Sequence, residues 1–167
     1  MSEPLLHYAE SLIERLDPRE YKQDNQQFKP VGFWVSVGED WKRWCEEEDF
    51  GLERLAVCHE ITLADSANIL RLSTPEDLDL FTKRFALPDC AGRPGRRFGE
   101  RIYWQGVRFQ YQGIIIAPYC WERRLAEQTF WYYSWDCASG CIWDFAAISS
   151  IEACRVPVGV RENPTTD

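Results

Sequence analysis

Fourteen residues near the end of the chain set the hardest constraint on its folding. Trp131–Asp144 reads WYYSWDCASGCIWD, with three tryptophans, two tyrosines and two aspartates side by side. A carboxylate beside apolar rings is costly to keep charged unless a donor compensates, so such a group often has a task. For Asp136 two readings stand: a working carboxylate, or a cap of its own turn through an Asx-type hydrogen bond. Asp144 reads as an outward residue of a strand. The rings predict strands over 130–135 and 140–147, with Asp136-Cys137-Ala138-Ser139 as the turn or hairpin connection.

The rest of the chain is read the same way. Leu5-Leu6-His7-Tyr8 is a short first strand, and residues 9–29 are polar and mixed. Residues 31–37 read as a strand, as do 55–63, 67–72 and 113–117. A helix is predicted over 39–47, where Trp41, Trp44 and Cys45 share one face and read as core. Thr74-Pro75-Glu76-Asp77 is a helix start with a cap, a proline at the first turn and an acid three residues on. Leu78, Phe81 and Phe85 line that helix to about Ala86. Residues 88–100 are a loop rich in Gly and Pro, basic through Arg93, Arg96, Arg97 and Arg101. Ile102–Tyr111 reads as helical, and the tail 160–167 as frayed. Strands with a few helices, without strict alternation, predict an α+β domain with a mainly antiparallel sheet. The whole of 1–167 is read as a single domain.

Composition excludes several classes. The 45% apolar fraction is that of a globular chain. No apolar run approaches the ~20 residues that span a bilayer. The start, MSEPLLHYAES, lacks the pattern of a signal peptide. A net charge of −8 disfavours a nonspecific nucleic-acid binder. Seven cysteines, an odd number, with no secretion signal read as reduced thiols in a cytoplasmic protein. No CxxC occurs, and His7 and His59 have no partner at a ligand spacing, so no metal site is expected. Neither GxGxxG, GxxxxGK[ST] nor GxSxG is present.

Two further segments carry candidate chemistry. His7 is either a polar anchor for a ligand hydroxyl or a histidine bonded to a backbone carbonyl. Alternation places His59 on the solvent face. Trp34 and Ser36, two apart on one strand, point the same way. They form either a floor for a planar heterocycle or a core ring beside a strand-ending serine.

In order, Leu6-His7-Tyr8, Lys29-Pro30-Val31-Gly32-Phe33-Trp34-Val35-Ser36, Tyr111-Gln112-Gly113-Ile114-Ile115 and Asp136 before Ser139-Gly140-Cys141-Ile142 are similar to one pattern. The chain resembles the ADP-ribosyltransferase family, in its histidine-containing branch. Small phage-encoded or bacterial mono-ADP-ribosyltransferases, an anti-CRISPR transferase among them, have a comparable arrangement. Asp136 is one methylene shorter than the Glu of many relatives, and Trp34 stands where Tyr is common. The resemblance implies a compact split antiparallel sheet with flanking helices that binds NAD. It implies that His7 holds the adenosine-side ribose and that Tyr8 or Trp34 packs on nicotinamide. Ser36 would shape that pocket, Trp135 would form a further wall, and Asp136 would be the catalytic acid. The Arg93–Arg101 loop is either a pyrophosphate or target contact or a solvated segment. The expected partners are NAD and a macromolecular acceptor, protein rather than nucleic acid, in a phage–bacterium or toxin context, with no membrane. Two rivals stand beside this reading: a noncatalytic protein that docks a host protein through a Trp-rich surface, and an NAD glycohydrolase.

Overall fold

The computed structural model describes residues 3–87 and 101–154. The tail 160–167 and Arg93, Arg96 and Arg97 lie outside the described residues. Strands are β1 (Leu5–Ala9), β2 (Phe33–Val37), β3 (Val57–Leu63), β4 (Ile69–Leu72), β5 (Gly113–Ile116), β6 (Ser139–Ile142) and β7 (Ile148–Ala153). Helices are α1 (Asp40–Glu48), α2 (Pro75–Phe85) and α3 (Trp104–Arg108). The fold is α+β. One seven-stranded sheet runs β4-β5-β6-β2-β1-β3-β7. Only β4 and β5 are parallel.

The sheet is continuous, and β1 and β2 part locally within it. β1 meets β2 in register only at Leu5↔Val37 and Leu6↔Ser36. It stays paired with β3 from Leu5 through Ala9. Beyond Leu6 the first two strands therefore part. β2 is held on its other side by β6, from Phe33↔Ile142 to Ser36↔Ser139. Gly140 has no room for a side chain, because a Cβ there would lie 2.7 Å from the Ile114 carbonyl oxygen.

The main core lies where α2, α3 and the aromatic segment meet β4, β5 and β6. Trp104, Trp131, Tyr132, Trp135 and Ile114 are fully buried there. The α2 start is the capping box expected of it: Thr74 Oγ1 accepts from the Asp77 amide at 3.1 Å, and Asp77 Oδ2 accepts from the Thr74 amide at 3.0 Å. Arg123 donates two bonds of 2.8 Å to Asp79 and ties α2 to the chain ahead of the aromatic segment.

Several expectations are corrected. Residues 130–135 are not a strand; Glu127–Ser134 winds as 3₁₀ helix with a kink at Thr129. Residues three apart eclipse in that geometry. Phe130 accordingly stacks on Tyr133 at 5.8 Å outside, and Tyr132 on Trp135 at 6.3 Å inside. The predicted strand 140–147 ends at Ile142, because Asp144 caps a 3₁₀ turn, Phe145–Ala147, through the Ala146 amide at 2.9 Å. Asp144 also accepts from Gln112 Nε2 at 2.8 Å, so it is no outward strand residue. The predicted helix 102–111 is helical only over Trp104–Arg108, and Ile102 instead bridges to Ala86. Trp41 and Trp44 are half-buried, stacked on each other at 5.0 Å, and only Cys45 of that face enters the core. β7 had no counterpart in the sequence reading.

Trp131 Nε1 donates to Thr82 Oγ1 at 2.7 Å between two buried side chains. Thr82→Val keeps the volume but leaves the indole N–H unmet. It should cost roughly 1–3 kcal/mol, read as a lower urea midpoint at unchanged slope.

Candidate functional site

The parting of β1 from β2 opens a cavity of about 320 Å³. That is the lower end of small-molecule pockets, which span roughly 300–1,000 Å³. Its walls include His7 and Tyr8 from β1, Trp34 and Ser36 from β2, Trp41 from α1, Lys29, Arg54, and Asp136, Cys137 and Ser139 ahead of or within β6. Five residues singled out in the sequence thus converge on one cavity: His7, Tyr8, Trp34, Ser36 and Asp136. The sixth, Trp135, does not. It is fully buried and stands edge-on to Trp34 at 4.9 Å, so it braces that ring from the core side. A larger hollow of about 830 Å³, lined by residues within 14–20 and 144–151, gathers none of the six.

His7 combines its two readings. Its Nδ1 lies 2.7 Å from the Trp34 carbonyl oxygen, which can only accept, so Nδ1 carries the hydrogen. Nε2 is then left as an acceptor in the neutral ring. The imidazole stacks on Phe33 at 4.0 Å and bridges from β1 to the β2 backbone. Burial holds its pKa below the ordinary 6.5, opposed by the Trp34 bond and aided by His59.

His59 is not on the solvent face. It is fully buried, its Nε2 accepts from the Ile13 amide at 2.9 Å, and its Nδ1 donates to the His7 carbonyl at 3.3 Å. Both nitrogens are spent on backbone, and it braces β1 from beneath.

The Ser36 hydroxyl donates to the Gly38 carbonyl at 2.8 Å and accepts from the Trp41 amide at 3.0 Å. It fastens the turn from β2 into α1, where Gly38 takes φ +58°. Ser36 therefore shapes the cavity through α1 and the Trp41 ring. Cys137 is pushed up to about 12 by burial, so it remains a thiol rather than a nucleophile at neutral pH.

Asp136 does not cap its own turn. Its Oδ2 receives Lys29 Nζ at 3.2 Å. The same ammonium lies 5.3 Å from the Trp34 ring centroid. Lys29 lines the cavity although nothing in the sequence singled out its side chain. The pair is 38% and 23% exposed, and such half-exposed ion pairs are worth about 0–1 kcal/mol. A ligand hydroxyl can therefore exchange for the lysine at Asp136 at little cost. Arg101, the described end of the basic loop, lies over the Phe28 ring at 4.7 Å and is not on the cavity wall.

Among the described residues, no group of three or more His, Cys, Asp or Glu is placed to hold a metal. Among them, too, no helix is long and apolar enough to cross a membrane. No protein-family model, curated protein or solved structure matches the chain.

The lowered His7 pKa fixes the sign of one pH effect. The neutral ring stabilises the fold fully above 6.5, and this contribution is lost as pH falls through the lower folded value. The thermal midpoint should drop between about pH 7 and pH 5, and His7→Gln should remove part of that drop. Equal pH dependence in the two proteins would contradict the assignment.

Proposed function

We propose that this protein is an NAD-dependent mono-ADP-ribosyltransferase acting on a macromolecular target, protein rather than nucleic acid. One observation carries the reading: His7, Tyr8, Trp34, Ser36 and Asp136, drawn from three distant segments, line the same cavity. These residues fit a nicotinamide nucleoside. Tyr8 and Trp34 offer rings to a planar heterocycle, and a carboxylate stands beside Trp34 without being buried away from a ligand.

The division of labour follows from each group's chemistry. Trp34, braced by Trp135, gives a fixed face for the nicotinamide ring. Asp136 releases Lys29, accepts a hydrogen bond from the adjoining ribose hydroxyl, and lays its negative charge near the reacting carbon. When the bond from that carbon to nicotinamide breaks, the electron pair leaves with nicotinamide and positive charge grows on the ribose. Asp136 stabilises that charge. The acceptor's nucleophile then bonds to the carbon and surrenders its proton to Asp136, the carboxylate on the wall. His7 Nε2, the free acceptor, takes a hydroxyl of the second ribose. Lys29 keeps the carboxylate paired between turnovers.

A second reading has its own observation. Trp121, Leu125, Phe130 and Tyr133 are exposed on one stretch of chain, and Arg124 lies over the Trp121 and Tyr133 rings at 5.6 and 5.7 Å. Aromatic and arginine side chains are typical interface anchors, which suits a protein that docks another protein.

The experiment separates these readings. The pure protein is incubated with NAD alone, then with labelled NAD and a cell lysate. A transferase releases nicotinamide and leaves a protease-sensitive label. Nicotinamide without label means hydrolysis, and neither means the docking protein. Asp136→Asn should lower transfer by roughly 10²- to 10⁴-fold with an unchanged circular dichroism spectrum. Full transfer by that variant would sink the assignment of the acid.

A further inference from the structure

Tyr8, Cys58 and Cys154 lie abreast across β1, β3 and the end of β7. Tyr8 pairs directly with Cys58 in the antiparallel register of β1 and β3. The β3–β7 ladder runs through His59↔Ala153, and one position further the Cys154 amide donates to the Cys58 carbonyl at 2.8 Å. Directly opposed residues project to the same face, so the three side chains form a row. The Cys58 and Cys154 Sγ atoms lie 2.6 Å apart. Both cysteines are free and half-buried, reachable by a small reagent. Of the other described cysteines, Cys45, Cys137 and Cys141 are buried and Cys120 is half-buried.

Directly opposed, hydrogen-bonded residues of an antiparallel pair have Cα atoms about 5.5 Å apart, and a disulfide spans Cα separations of about 4.4–6.8 Å. The bond therefore needs side-chain rotation but no movement of β3 or β7. We propose that Cys58 and Cys154 are a redox pair that closes to a cross-strand disulfide and thereby changes the bonding of Tyr8 at the cavity wall.

The chemistry balances with a small-molecule disulfide such as glutathione disulfide as oxidant. The Cys154 thiol gives its proton to solvent, and its sulfur attacks one sulfur of the oxidant, expelling one glutathione thiolate. Cys58 then loses its proton and attacks the Cys154 sulfur, expelling the second glutathione. Two S–H bonds of the protein are lost, one S–S bond forms, and the oxidant is reduced to two thiols. Burial first, and then the contact with Cys154, push the Cys58 thiol up. Tyr8, directly opposite Cys58, acts against that rise and favours the Cys58 thiolate. Glu39, the charged neighbour, acts against both groups. Closure of the disulfide removes the thiol from Tyr8, which lines the cavity.

The test does not depend on NAD chemistry. The purified full chain is equilibrated with glutathione disulfide, alkylated, digested and mapped by mass spectrometry. The expected product links the peptide of Cys58 to that of Cys154, lighter by two hydrogens, and dithiothreitol reverses it. Its thermal midpoint should rise by several degrees, since the link closes a long loop of chain. Cys58→Ser and Cys154→Ser should each abolish the link. Tyr8→Phe should slow closure several-fold, because the Cys58 thiolate loses its donor. Full alkylation of both cysteines after oxidation, or a link between other cysteines, would overturn the pair. An unchanged closure rate in Tyr8→Phe would overturn the coupling to the cavity.

Discussion

The site depends on a contest for the hydrogen bonds of β1. Its backbone is matched to β3 along all five residues but to β2 along only two. Past Leu6 it follows β3, and the Trp34 carbonyl on β2 loses its natural strand partner. A buried carbonyl needs a donor, and His7 Nδ1 supplies it. One imidazole thereby replaces a stretch of sheet ladder. It keeps the parted strands at a fixed separation, and the cavity between them is the result.

The aromatic core serves this opening from the other side. Trp131 stands edge-on to Trp104 and to Trp135, and Trp135 stands edge-on to Trp34. Edge-to-face pairs resist sliding because each ring's positive rim meets its neighbour's negative face. A continuous run of rings thus extends from α3 to the cavity wall. Trp34 is presented on a rigid backing, with Lys29 on its open side. The turn bearing Asp136 is placed by the chain's passage from that aromatic segment into β6. Wall and carboxylate therefore share one support.

Parts of this were legible in the sequence because they carry their mechanism locally. The α2 start is written in four residues, Thr74-Pro75-Glu76-Asp77, and needs no tertiary partner. The alternation of Phe33–Val37 placed Trp34 and Ser36 on one face, and they line one cavity. Elsewhere, local preference lost to packing. Aromatic residues favour strands, yet over 127–134 the rings pair at spacing three, 130 with 133 and 132 with 135, which 3₁₀ winding allows and alternation does not. His59 was misplaced because a period of two says which residues share a face but not which face is covered. The cover comes from Ile13, in the irregular stretch after β1. Lys29 carried no local signal of its partner, which lies far along the chain.

The strand order has a kinetic side. The centre of the sheet, β2 against β6, joins segments roughly a hundred residues apart, and loop-closure entropy must be met before such contacts stabilise anything. β1 and β3 are closer in sequence and can associate earlier. The turn that carries Asp136 reaches Lys29 only when β6 docks onto β2. The cavity is therefore complete only when the chain's two distant halves have met.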